Sequence, residues 1–97
     1  MIYVIARMEL NENCLTAMQQ LLARTVPQVL AEEGCLQYTP CVDVDEETKE
    51  QFITIVEAWS SRETHKAHLA TAHMAEFREA AGKLRKNSNV KIVAPLN

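Results

Sequence analysis

Glycine is almost missing from this sequence: Gly34 and Gly82 are the only two among 97 residues. A phosphate-cradling nucleotide site needs clustered glycines so that backbone N–H groups can close on the phosphates, and that class is excluded. Basic charge is also scarce. Ten Lys and Arg stand against thirteen Asp and Glu, giving a formal net charge of −3 and a pI near 5.6. Nucleic acid or an anionic membrane would instead select a clustered basic face, so neither is expected as a partner. The one dense cluster, Lys83-Leu84-Arg85-Lys86, reads as the cation-rich end of a helix. No basic leader precedes a long apolar run, and no segment approaches the ~20 apolar residues of a membrane span. The three cysteines, Cys14, Cys35 and Cys41, contain no Cys-x-x-Cys. Cys35 and Cys41, six residues apart on one strand, would lie about 20 Å apart, beyond disulfide reach. A reducing, cytoplasmic setting is expected. No His or positive cluster adjoins a cysteine to lower its thiol pKa, which argues against a nucleophilic cysteine.

What is present is a single-domain chain spanning residues 1–97, with 47% hydrophobic residues. Ile2 to Leu10 alternates Ile2, Val4, Ala6, Met8 and Leu10 with Tyr3, Ile5, Arg7 and Glu9, the period of a strand. Asn11 or Asn13 is placed to cap a helix bearing Leu15, Met18, Leu22, Val26 and Val29, which Pro27 should kink and Gly34 should end. Glu32 and Glu33 fall at that helix's negative end, an unfavourable position for carboxylates with no local explanation. Cys35 to Val44 forms a second strand, edge or bulged because Pro40 cannot donate to a ladder, and Phe52 to Trp59 a third. Ser60-x-x-Glu63 has the form of a capping box for a short helix, and Thr71 caps another with Met74, Phe77, Ala81 and Leu84 as its apolar stripe. Val90 to Leu96 supplies a last strand. This order is the split βαβ arrangement of an α+β, ferredoxin-like sheet. Both faces of the first and third strands are apolar, too much to leave wet, which points to a homodimer packed sheet against sheet.

The chemistry-bearing residues concentrate between Ile53 and Phe77, which hold the only Trp and all three His. His65 and His68 are spaced i, i+3, but no further ligand stands at an obvious completing position, so no metal site is expected. His68 and His73 would diverge by roughly 140° on one continuous helix, yet a break at Thr71 lets them line one pocket. Glu57, in an apolar strand, serves either as an acid or base of raised pKa or as the ion-pair partner of Arg7. Tyr38 and Trp59 are candidates for an aromatic wall.

Glu32-Glu33-Gly34-Cys35-Leu36-Gln37-Tyr38, Glu57-Ala58-Trp59 and His68-Leu69-Ala70-Thr71-Ala72-His73-Met74 resemble the antibiotic biosynthesis monooxygenase family, over nearly the whole chain. The likeness is strongest to its small bacterial quinol monooxygenases. Thr71-Ala72-His73 stands where relatives commonly carry Thr-Pro-His. The resemblance implies a dimeric α+β barrel of two ferredoxin-like sheets, with a pocket between sheet and helices. It further implies a monooxygenase that needs no metal, flavin or other cofactor: a quinol or phenol is deprotonated, passes an electron to O2, and the radicals recombine. His68 and His73 would be catalytic, with Tyr38, Trp59, Glu57, His65, Met74 and Phe77 around a small aromatic substrate. Haem-degrading relatives need an axial His where this chain has Arg78. Two alternatives remain open: an isomerase of a phosphorylated quorum-sensing sugar derivative, which needs a cation in the pocket, Arg7 or Arg24 being the early candidates, and a non-catalytic dimeric binding or stress-response module.

Overall fold

The computed structural model describes all 97 residues, Met1–Asn97. Its elements run β1 (Ile2–Leu10), α1 (Leu15–Leu30), β2 (Cys35–Val42), β3 (Phe52–Trp59), α2 (Arg62–Leu69), α3 (Ala72–Gly82) and β4 (Arg85–Val93). The four strands form one antiparallel sheet in the order β2-β3-β1-β4, the ferredoxin-like topology expected from the order of elements. The period-two alternation of β1 and β3 decides which side becomes core. Val4, Met8, Leu10, Ile53, Ile55 and Trp59 are buried under the helices, joined by Met18, Leu22 and Val29 of α1 and Met74, Phe77 and Ala81 of α3. Filling that layer with large side chains stabilises the fold by about 1.5–3 kcal/mol for each fully buried aliphatic or aromatic residue.

The other face carries Tyr3, Ile5, Phe52 and Val56, all half-buried. Arg7 lies on this face. It donates both Nη1 and Nη2 to the Asp43 carboxylate at 2.9 Å, donates Nη1 to Thr54 Oγ1 at 2.7 Å, and stacks over Phe52 at 4.2 Å. Its pairing with Glu57 is thereby overturned: Arg7 stands opposite Thr54 in the ladder, whereas Glu57 stands opposite Val4 and points to the helix side. Asp43, held by Arg7 and by the Thr48 hydroxyl, has its carboxyl lowered to about 2.

Several boundaries differ from the sequence reading, each for a local reason. Neither Asn11 nor Asn13 caps α1. The Asn11 carbonyl accepts from Cys14, Asn13 adopts φ 62°, and Cys14 occupies the cap position with no side-chain bond. The α1 helix runs through Pro27 to Leu30. The capping box on α2 is shifted by one: Ser61 Oγ accepts from the Thr64 N–H, and Thr64 Oγ1 accepts from the Ser61 N–H. Thr71 caps α3 as expected, through Met74 N–H. β2 is an edge strand as Pro40 requires, although its register shift falls between Cys35 and Gln37. α3 ends at Gly82, so Leu84 is not part of its stripe, and Arg85 and Lys86 belong to a strand rather than a helix end. β4 begins at Arg85 because β1 offers it a free edge, and its polar residues suit the rim of a sheet.

Candidate active site

The site begins at the turn after α1. Gly34 adopts φ +80°, and a Cβ there would lie 2.5 Å from Thr64 Cγ2 and 2.6 Å from Ser60 Oγ. Only glycine allows this approach. The Gly34 carbonyl accepts from the Ser60 N–H at 2.8 Å, which docks the turn onto the start of α2. That docking carries Glu32 to His68, 36 positions away in sequence.

Glu32 bridges two histidines. Its Oε2 lies 2.9 Å from His68 Nδ1 and 2.7 Å from His73 Nε2, and its Oε1 lies 3.2 Å from His68 Nδ1. A carboxylate only accepts, so these nitrogens carry the protons, and His68 keeps its lone pair on Nε2. The break at Thr71, whose hydroxyl donates to the His68 carbonyl at 2.8 Å, lets α2 and α3 converge on one carboxylate. Burial pushes the His68 imidazole below its usual range. The bond from Glu32 opposes that shift, and the charges of His73 and Arg78 reinforce it. His68 is 2% exposed and therefore sits as a neutral base at neutral pH.

Aromatic rings fix the His68 plane. Trp59 lies 4.6 Å from it between centroids, and Tyr38 meets it edge-on at 5.7 Å. His65 stacks at 5.9 Å from His68, and burial lowers its pKa as well. Glu57, on the same sheet face, accepts the Trp59 Nε1–H at 2.9 Å. Burial raises its carboxyl to about 7, against the lowering effect of that bond. The Tyr38 phenol is pushed above its usual value, chiefly by burial.

His68 forms part of the wall of a cavity of about 320 Å³ between the sheet and α2–α3. Tyr38, Glu57, His65, Met74 and Phe77 line it, and Ala6 leaves room on the sheet between Val4 and Met8. Trp59 does not line it; completely buried, it backs the histidines instead. His73 is also off the wall and reaches His68 only through Glu32. Both Tyr38 and Trp59 lie on the helix side of the sheet. Sequence reasoning missed Glu32 as a site residue, although an acidic residue at the wrong end of a helix was the signal. It also missed Arg78, Arg85 and Ser88, which line the same cavity. Arg7 contributes to the cavity boundary while its guanidinium is engaged by Asp43 across the sheet.

Glu32, His68 and His73 bring three potential ligand atoms within 4.8 Å of one another, a two-histidine, one-carboxylate set that could hold a divalent transition metal. The sequence pairing of His65 with His68 is not the set the fold assembles. Without a metal, the two N–H donors and one carboxylate already satisfy each other.

Comparison with known proteins gives the family and the fold. The family model described as "Antibiotic biosynthesis monooxygenase" matches residues 1–80. "Probable quinol monooxygenase YgiN" of Escherichia coli (strain K12) is 37% identical over 78 residues, covering 75% of this chain and 75% of that one. A solved protein of Mycobacterium tuberculosis superposes with a TM-score of 0.87 at 26% identity, over 99% of this chain and 95% of that one. One from Nitrosomonas europaea reaches 0.89 at 19% identity, over the whole of both chains, a likeness of fold. Matched over residues 1–80 and sharing the family's sheet and helices throughout, the chain belongs to the antibiotic biosynthesis monooxygenase family.

Proposed function

We propose that this protein is a cofactor-independent monooxygenase that oxidises a quinol or a related phenolic aromatic with O2. The observation that carries the reading is His68: a buried neutral imidazole on the wall of an apolar cavity, its Nδ1–H held by Glu32. The His68 Nε2 lone pair takes a proton from a substrate hydroxyl. Glu32 stabilises the imidazolium that forms, and His73, 20% exposed at its side chain against 2% for His68, donates its Nε2–H to the same carboxylate and holds it in place. Val4, Ile55, Met74 and Phe77 exclude water, which keeps the phenolate electron-rich, and they admit apolar O2. The anion passes one electron to O2, and the substrate radical and superoxide recombine at ring carbon. One oxygen atom stays on the ring and the other leaves as water. A dihydroxy-aromatic that becomes a hydroxyquinone supplies every electron required, so no external reductant enters the balance.

The name of the Escherichia coli relative supports the quinol class. The half-buried apolar face of Tyr3, Ile5, Phe52 and Val56 supports a sheet-to-sheet homodimer. Three free cysteines fit the cytoplasm. The test is oxygen uptake with a panel of hydroquinones and naphthols against an autoxidation control. Uptake above that control is expected, and His68→Ala and His73→Ala are expected to reduce it. Uptake no faster than autoxidation across the panel would overturn the reading and favour a binding module.

A further inference from the structure

Two arginines stand in the cavity without a counter-ion. Arg78 of α3 and Arg85 of β4 both line it, beside Ser88 and the catalytic candidate His68. The single hydrogen bond either guanidinium makes within the chain runs from Arg78 Nη2 to the Leu69 carbonyl, at 3.1 Å. That bond ties Arg78 to the residue next to His68. The other cations of the chain that find acids do so elsewhere, as Arg7 with Asp43, Lys49 with Glu46 and Lys86 with Glu9. Arg78 is exposed and Arg85 half-buried, so water reaches the first, while the second, partly withdrawn from water at the edge of an apolar space, has no acid to pair with.

Arg85 reaches the cavity because of a bulge. Along β4, Ser88 stands opposite Met8 and Asn87 opposite Glu9, but Leu10 stands opposite Arg85, so Lys86 is the extra residue. Without that insertion Arg85 would share the outer face with Asn87 and Asn89. The insertion turns it to the side of Leu10 and Met8, which is the helix side. Burial and the charge of Arg78 both push the Arg85 guanidinium below its usual range, the condition of a cation that lacks an anion. Glu57, the cavity's one carboxyl, bonds to neither arginine and is itself pushed toward its neutral form by burial.

We infer that Arg78 and Arg85 form an anion subsite, and that the substrate is a hydroxylated aromatic carrying a carboxylate. The apolar wall of Val4, Met8, Ile55, Met74, Phe77 and Ile92 takes the ring, and the paired guanidinia take the carboxylate. A phosphorylated sugar satisfies the cations equally well but sets its hydroxyls against those apolar side chains. The choice of substrate class rests on the oxidation reading; the anion subsite stands apart from it, and binding tests it separately.

The binding experiment compares 1-hydroxy-2-naphthoate with 1-naphthol by calorimetry on the full chain. The carboxylate is expected to bind about tenfold or more tightly. High salt, Arg85→Met and, in a second variant, Arg78→Met are each expected to shrink that advantage, with Arg85→Lys keeping part of it. Equal binding of the two naphthols, an advantage that survives both Met variants, or tighter binding of ribose 5-phosphate would overturn the inference. In oxygen uptake, the ratio of kcat/KM for 1,4-dihydroxy-2-naphthoate to that for 2-methyl-1,4-naphthohydroquinone is expected to fall about tenfold in Arg85→Met. If neither is oxidised while the arginine-dependent binding persists, the oxidation reading fails and the anion subsite stands.

Discussion

Glu57 couples the stability of this protein to pH in a direction opposite to that of most carboxylates. Burial raises its carboxyl from 4.5 to about 7 in the folded chain. Below pH 4.5 it is protonated in both states, and its contribution to stability is fully present. As pH rises from there to about 7 the unfolded chain releases the proton while the folded chain retains it, so stability falls. The loss is about 3 kcal/mol at about 1.4 kcal/mol per unit, and it is complete above the folded pKa. Glu57→Gln removes the charge yet preserves an oxygen to accept the Trp59 Nε1–H. Relative to wild type, the variant is expected to gain about 3 kcal/mol between about pH 4.5 and pH 8. Any cost of its extra amide donors is the same at both pH values and cancels in the comparison. Urea unfolding followed by fluorescence of Trp59, the only tryptophan, reads the difference at one protein concentration. A Gln variant whose stability tracks wild type at both ends of the range would refute the placement of Glu57 as a carboxyl kept neutral by burial.

Glu32→Gln is expected to lower oxidation by about 10²-fold, because an amide cannot stabilise the His68 imidazolium as a carboxylate does; steady-state oxygen uptake checks it. Since burial holds His68 below its ordinary value, kcat/KM is expected to rise with pH through an inflection under 6.5 and then level off, and an inflection well above 6.5 would remove His68 as the base. Gly34→Ala is expected to cost about 2–4 kcal/mol through positive φ and collision with Thr64, whereas Gly82→Ala, with nothing within 4 Å, should be neutral or slightly stabilising in a thermal melt. On the second sheet face, Val56→Lys is expected to yield monomers in sedimentation, and an unchanged assembly would show that this face is not the interface.

Local pattern determined a good part of this protein. Alternation in Ile2–Leu10 and Phe52–Trp59 was legible because the pleat has period two and one face must be buried; both strands begin and end where that pattern places them. The Thr71 break was legible as a cap, but the two histidines it brings near each other meet on the Glu32 carboxylate and do not line one pocket, since His73 is off the cavity wall. Other ends were set by neighbours. β4 reads as polar and begins five residues earlier than its apolar run, since the open edge of β1, and not its own side chains, recruits Arg85 to Asn89 into the ladder.

The chemistry of the site was decided only by tertiary structure. Sequence spacing carries orientation within an element but none between elements. Glu32 therefore looked misplaced at a helix end until Gly34 docked its turn against Thr64 and set it between two histidines. Trp59 and Glu57 were legible as buried, but their mutual bond and their division into backing and lining depend on packing. Arg85 faces the cavity because of one inserted residue in a ladder with β1, a register set by two strands together and invisible in either alone.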